Sequence, residues 1–271
     1  MPYYERMKYF DAHCHVQFDP FNADRDDLLS RMAAEEVGAV VVGCDFDSSQ
    51  KAVALVQTHE DLYAAVGHHP NDTNLDSYDV SEIEKLARQP KVVAIGECGL
   101  DYFRPADATP EVKAKQKEVF VSQIQLAGKL NLPLIIHSRP TKGTQDAYQD
   151  VIEILTEEKK KFPHLCGDIH FFVGGVEEMK SLTTLGFTVS FTAVITFTRD
   201  YDEVIAATPL DMMLSETDAP YVAPASRRGT RNDPLAVVDV VTRIALIRGL
   251  DRDLVCEKLL ANSLRLFKIP Q

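Results

Sequence analysis

Eight short runs rich in aliphatic and β-branched residues, each followed by a longer segment of helical character, extend from one end of the chain to the other. The predicted strands are Tyr9 to Val16, Ala39 to Cys44, Leu62 to Gly67, Val92 to Glu97, Leu134 to His137, Cys166 to Phe172, Phe187 to Phe191 and Met212 to Glu216. Several are apolar throughout, as strands covered on both faces must be. Strict alternation of strand and helix builds a parallel sheet, which leaves a closed (β/α)8 barrel or an open doubly wound sheet. The open form usually carries a Gly-rich phosphate loop after its first strand, and here that place holds His13-Cys14-His15. Eight units within 271 residues match the α/β barrel, a (β/α)8 TIM-like fold.

Helix punctuation supports the same reading. Asp79 with Glu82 predicts a capping box, and Thr109 with Pro110 predicts an N-cap followed by proline at the first helical position. The longest helix is expected over Glu111 to Leu130, with Val112, Val119, Ile124, Ala127 and Leu130 toward the core. Leu235 to Ile247 and Leu254 to Phe267 are expected to form two closing helices. No linker, composition shift or internal repeat divides the chain, so one catalytic barrel domain over residues 1–271 is expected.

No apolar run approaches the roughly 18 to 20 residues needed to span a bilayer, and no apolar signal core follows the amino terminus. The five cysteines are odd in number and scattered, without a Cys-x-x-Cys pair. Reduced thiols and a cytoplasmic location without membrane contact are therefore expected. With 41 acidic residues against 29 basic ones the net charge is −12, which argues against a broad basic footprint for nucleic acid.

The active site of a parallel barrel lies at the carboxyl ends of its strands. Those ends hold His13-Cys14-His15, His68-His69-Pro70, Glu97, His137, His170 and Glu216-Thr217-Asp218, which include six of the eight histidines in the chain. Period two projects His13 and His15 to one face and turns Cys14 away, so two imidazoles can share a metal. Asp11 has the same parity and is placed either to orient an imidazole or to line the barrel. Glu97 ends the apolar run from Val92, where burying a carboxylate requires a cation or several donors. Four imidazoles and two carboxylates suffice for two divalent ions if one carboxylate bridges. Such a pair activates water and stabilises the leaving oxygen of an ester or phosphoester. It also concentrates positive charge locally, despite the acidic whole.

These motifs resemble the TatD-type metal-dependent hydrolases and deoxyribonucleases. The resemblance runs in order through Asp11 to His15, Val66 to Pro70, Ile95 to Tyr102, Leu134 to Arg139, Ile169 to Phe172 and Ser215 to Tyr221. It continues through Arg231 to Pro234 and Asn262 to Phe267, covering almost the whole chain. The family more usually has Cys-Phe-Ser/Thr-Gly after the strand-six histidine, where this chain has Phe171-Phe172-Val173-Gly174-Gly175, and Gly where it has Ala193. The resemblance implies a barrel of the metallo-dependent hydrolase type with two divalent ions, Mg, Mn or Zn. It implies that His13, His15 and Asp218 hold one ion, that His137 and His170 hold the second and that Glu97 bridges them. Asp218 would take the proton of the attacking water, with His69 and Arg139 near the substrate.

The expected function is hydrolysis of DNA phosphodiesters, with RNA as a second substrate, in the manner of a 3′-5′ exonuclease or repair-type deoxyribonuclease. Arg104, Arg139, Lys142, Arg227, Arg228 and Arg231 are candidate phosphate contacts. The alternative is a dinuclear deacylase or amidohydrolase acting on ester or amide bonds, such as aminoacyl-tRNA. Many barrels of that kind bridge their ions through a modified lysine at the fourth strand, where this chain has Glu97. A metal-binding barrel that serves interaction rather than turnover is the third reading. The protein is expected to be a monomer or weak oligomer.

Overall fold

The computed structural model describes residues 7–71, 75, 78–103 and 109–270. Eight parallel strands form one sheet in the order β1 to β8: Tyr9–Cys14, Val37–Val42, Leu62–Val66, Val92–Asp101, Leu134–Arg139, Gly167–His170, Phe187–Phe191 and Met213–Ser215. The last strand returns to the first through a parallel bridge between Cys14 and Ala219, flanked by Asp218 N donating to His13 O at 2.9 Å and His15 N to Ala219 O at 2.7 Å. The fold is therefore a (β/α)8 barrel, and its closing seam consists of the segments that carry His13, His15 and Asp218.

Nine helices lie among the described residues: α1 Arg25–Ala34, α2 Phe46–Val56, α3 Val80–Ala87, α4 Pro110–Leu130, α5 Asp146–Lys161, α6 Val176–Thr184, α7 Asp202–Ala207, α8 Val237–Arg248 and α9 Arg252–Leu266. Thr109 caps α4 as expected, accepting from Val112 N with Pro110 at the first position. The cap of α3 runs from Ser81 N to Asp79 at 2.8 Å rather than as a reciprocal Asp79–Glu82 box.

Alternate strand residues feed two apolar layers. Val37, Ala39, Val41, Ala64 and Val66 pack in the larger cluster with helix residues such as Phe120, Leu155 and Ile244. Phe10, Val40, Val42, Ala65, Ala94, Ile135 and Leu214 form a second cluster, joined by Phe267 and Ile269 after the last helix. Burying each large side chain contributes about 1.5–3 kcal/mol, so the two layers supply a rigid frame for polar strand ends.

Several strands depart from expectation where the site begins. β1 stops at Cys14 rather than Val16 because His15 turns to pair with Ala219. β6 stops at His170, since Phe171 adopts a left-handed φ of 48°. β4 continues past Glu97 to Asp101 because β5 pairs with it residue by residue, Gly99 with His137 through Asp101 with Arg139.

Candidate metal centre

The strand ends bring His13, His15, Glu97, His137, His170, Asp218 and His69 around one carboxylate. Glu97 Oε2 lies 3.4 Å from His13 Nε2 and 3.8 Å from His15 Nε2, while Oε1 lies 3.2 Å from His69 Nε2, 3.2 Å from His137 Nδ1 and 3.5 Å from His170 Nε2. Asp218 Oδ1 stands 3.8 Å from His13 Nε2 and 3.5 Å from His15 Nε2. Arg139 lies at the rim of the same cavity, of about 810 Å³, whose wall also includes Phe18, Phe171, Tyr201 and Tyr221.

Fixed partners behind the rings define their tautomers. His15 Nδ1 donates to Val42 O at 2.8 Å and His137 Nε2 donates to Asp101 Oδ2 at 3.0 Å. In the neutral rings this leaves lone pairs at His15 Nε2 and His137 Nδ1, directed toward carboxylate oxygens. Lone pairs converging on a carboxylate repel unless protons or a cation lie between them, so the donor set fits a divalent ion. His69 differs. Its Nδ1 accepts from Asn71 N at 3.0 Å, so Nε2 carries the hydrogen and donates toward Glu97. Three groups among the described residues bring donor atoms within 4.8 Å of one another: His13 with His15 and Glu97, His13 with His170 and Glu216, and His69 with Glu97 and His137, the last lacking a free lone pair on His69 Nε2.

The electrostatics agree with a site that protons occupy when no cation does. Burial pushes Glu97 up, but the surrounding His69, His170 and His13 outweigh it and hold the carboxyl well below its usual range. Burial likewise opposes charge on His170, yet Glu216 and Glu97 raise it to about 10. His137 is raised against its own burial by Asp101 and Glu97. Asp218 is lowered against burial by His15, His170 and His13. Metal binding displaces such protons, which couples affinity to pH.

Several supporting roles escaped the sequence reading. Asp101 and Glu216 back the far nitrogens of His137 and His170, at 3.0 Å in each case. Asp101 shares the strand parity of Glu97, which was the available signal. Glu216 is in turn bonded by Phe171 N and Ser190 Oγ, and Ser190 Oγ also reaches Asp168, whose carboxyl is pushed up to about 7 by burial and the Glu216 charge. On α4, Gln116 and Gln123 are seven residues apart, on one helical face. Each makes a paired amide contact with a strand-end backbone, that of Asp101 and that of His68 respectively. Cys44 Sγ lies 3.6 Å from Glu97 Oε2.

Other expectations are corrected. Asp11 orients no imidazole: it accepts from Thr217 N and Oγ1 and from His13 N, tying β1 to the segment after β8. Arg227 and Arg231 are not free for phosphate, since they grip Asp233 and Asp24. Arg104 lies outside the described residues. Cys14 is buried and directed away toward Val40 O, as parity requires.

Comparison with known proteins follows the same residues. The family described as "TatD related DNase" matches residues 10–268. The chain is 37% identical to an uncharacterized metal-dependent hydrolase, YabD, of Bacillus subtilis, over 96% of this chain and 99% of that one. It is 34% identical to the 3′-5′ ssDNA/RNA exonuclease TatD of Escherichia fergusonii, over 89% and 92% of the two chains. The crystal structure of YjjV, a TatD homologue from Escherichia coli K12, superposes with a TM-score of 0.85 at 28% identity, covering 97% of this chain and 99% of that one. With its barrel, its convergent histidines and carboxylates and these relatives, the chain belongs to the TatD-related DNase family and is a metal-dependent hydrolase.

Proposed function

We propose that the protein is a two-metal phosphodiesterase that trims single-stranded DNA, with RNA as a second substrate, as a 3′-5′ exonuclease. The observation that carries this reading is the division of Glu97: its two oxygens face different imidazole sets, Oε2 toward His13 and His15 and Oε1 toward His137 and His170. In this reading His13, His15 and Asp218 would hold one ion, His137 and His170 the other, and Glu97 would be shared between them. Zinc suits the imidazoles of the set, and magnesium and manganese suit its carboxylates. When bound there, divalent ions would supply a water acidic enough to attack at neutral pH and a positive charge for the phosphoryl oxygen.

The chain's own groups supply the remaining steps. Asp218, ionised and beside the His13–His15 pair, accepts the proton of the attacking water. His69 Nε2–H points into the same space and donates to a phosphate oxygen. Arg139 contacts the phosphate chain at the rim. The similarity to an enzyme named as a single-stranded DNA/RNA exonuclease supports the substrate class.

The test is digestion of a labelled single-stranded oligonucleotide by purified protein with magnesium or manganese. We expect ladder shortening from the 3′ end, abolished by chelator. Parallel rates on an aryl phosphodiester and an aryl ester separate the reading from the deacylase. Faster ester cleavage, or no chelator-sensitive degradation with any metal, would overturn it.

A further inference from the structure

We infer that two guanidinium–phenyl pairs on opposite sides of the barrel mouth, Arg139 with Phe103 and Arg228 with Phe197, are contact points for a single nucleic-acid strand lying across the metal centre. The inference rests on the phosphodiesterase reading and adds where and how the strand is held.

Among the described residues the exposed large aromatics are Phe103, Phe197 and Tyr221, with 41%, 40% and 53% of their surface accessible. All three follow the carboxyl ends of strands, β4, β7 and β8 respectively. They crowd the one end of the barrel that holds the site, although exposure costs free energy that burial would recover. Two of the three carry a guanidinium over the ring: Arg139 lies 4.1 Å from the Phe103 centroid and Arg228 lies 3.9 Å from that of Phe197.

Those two arginines are also singular in what they lack. Elsewhere guanidinium groups are committed to the fold: Arg227, Arg231 and Arg243 to carboxylates, Arg25 and Arg248 to backbone carbonyls. Among the described residues, Arg139 and Arg228 alone of the arginines have a guanidinium with neither a hydrogen bond nor an ion pair, so those N–H donors remain for an outside anion. Stacking on a phenyl ring holds the planar group in place, which lowers the entropy lost when it grips a phosphate.

Their placement fits a strand rather than a point ligand. Phe103 and Arg139 stand at the ends of β4 and β5, while Phe197 and Arg228 follow β7 and β8, across the barrel. The wall of the cavity of about 810 Å³ includes Arg139 on one side, and Val194, Tyr221 and Val222 from the segments that lead to Phe197 and Arg228. Phenyl faces stack on any base, and only an unpaired strand offers free base faces for them. A chain of net charge −12 has no broad basic surface, so binding through a few aromatic and guanidinium contacts is what its composition permits.

The experiment compares an octathymidylate with bis(p-nitrophenyl) phosphate, a phosphodiester that carries no run of bases to lie on the two rings. Phe103→Ala and Phe197→Ala should each raise the oligonucleotide KM about tenfold. They should cost the oligonucleotide at least about ten times more in kcat/KM than the small diester. Phe103→Trp and Phe197→Trp should restore binding, which a merely structural role would not predict. Arg139→Ala and Arg228→Ala should each reduce the slope of log KM against log salt by about 0.7. Equal losses on both substrates, or unchanged oligonucleotide KM, overturn the inference. A wild type inert toward both diesters overturns the phosphodiesterase reading instead. The contact points are then decided by fluorescence anisotropy of the labelled octathymidylate, where equal affinity of wild type and variants refutes them.

Discussion

Asp101 Oδ2 lies 3.0 Å from His137 Nε2 and also accepts Asn71 Nδ2 at 2.6 Å, while Oδ1 accepts Phe103 N at 2.9 Å. The carboxylate is buried and held on both oxygens, so it fixes the imidazole with Nδ1 toward Glu97. Carboxylates in this position set ring orientation and raise ligand basicity. Asp101→Ala should therefore weaken divalent-metal binding by about 10–100-fold in isothermal titration calorimetry. Unchanged affinity would show that His137 needs no such support.

Glu97 is the element on which the two-ion reading depends. Glu97→Gln keeps the shape but removes the charge and turns an amide N–H₂ toward one of the two imidazole sets. The variant should retain at most one tightly bound ion where two are expected of the wild type, as counted by elemental analysis after gel filtration. Hydrolysis of an aryl phosphodiester should fall by about 1,000-fold or more, equivalent to several kcal/mol of lost charge stabilisation. Two equivalents of metal in the variant would sink the bridging role.

The frame, and the strand-end residues that gather around Glu97, were legible because both follow from local rules. Strand runs are apolar in sequence, and a polar residue ending such a run is visible without knowing what lies across the barrel. The boundaries that failed are those fixed by a distant partner. Nothing in Cys98-Gly99-Leu100 marks a strand, and β4 continues there only because β5 pairs with it. Gln116 and Gln123 look like ordinary helix-surface residues, and their contacts with Asp101 and His68 exist only once α4 is docked. Arg227, Arg228 and Arg231 are equivalent in sequence, yet Asp233 and Asp24 claim two of them and leave the third over Phe197.

Gly99 is required where β4 meets β5. Its φ of 131° disfavours any L side chain, and a Cβ there would lie 2.0 Å from His137 O. Gly99→Ala must push the two strands apart at the level of Glu97 and His137. We expect a loss on the order of 3 kcal/mol in urea unfolding, or failure to fold. Where folded protein is recovered, metal affinity should fall as well. A variant with native stability and native affinity would contradict the close approach.

Asp146 begins α5, just beyond the turn that follows Arg139. Its carboxylate accepts from Thr141 N at 2.9 Å, Thr141 Oγ1 at 2.8 Å and Thr144 Oγ1 at 2.9 Å, and pairs with Lys113 Nζ at 3.0 Å. Partial burial works against ionisation, but Lys113 and the two threonines outweigh it and hold the carboxyl below its usual range. A depressed folded-state pKa means that the unfolded chain binds the proton more readily. The stabilisation is therefore complete above the unfolded value of about 3.9 and is lost as pH falls through the lower folded value. Asp146→Asn retains a side-chain acceptor but loses the charge, so it should be less stable than wild type at pH 6 in urea melts run with chelator. That difference should persist to about pH 4 and narrow below it. A gap independent of pH would mean that Lys113 and the threonines stabilise the neutral and charged carboxyl equally.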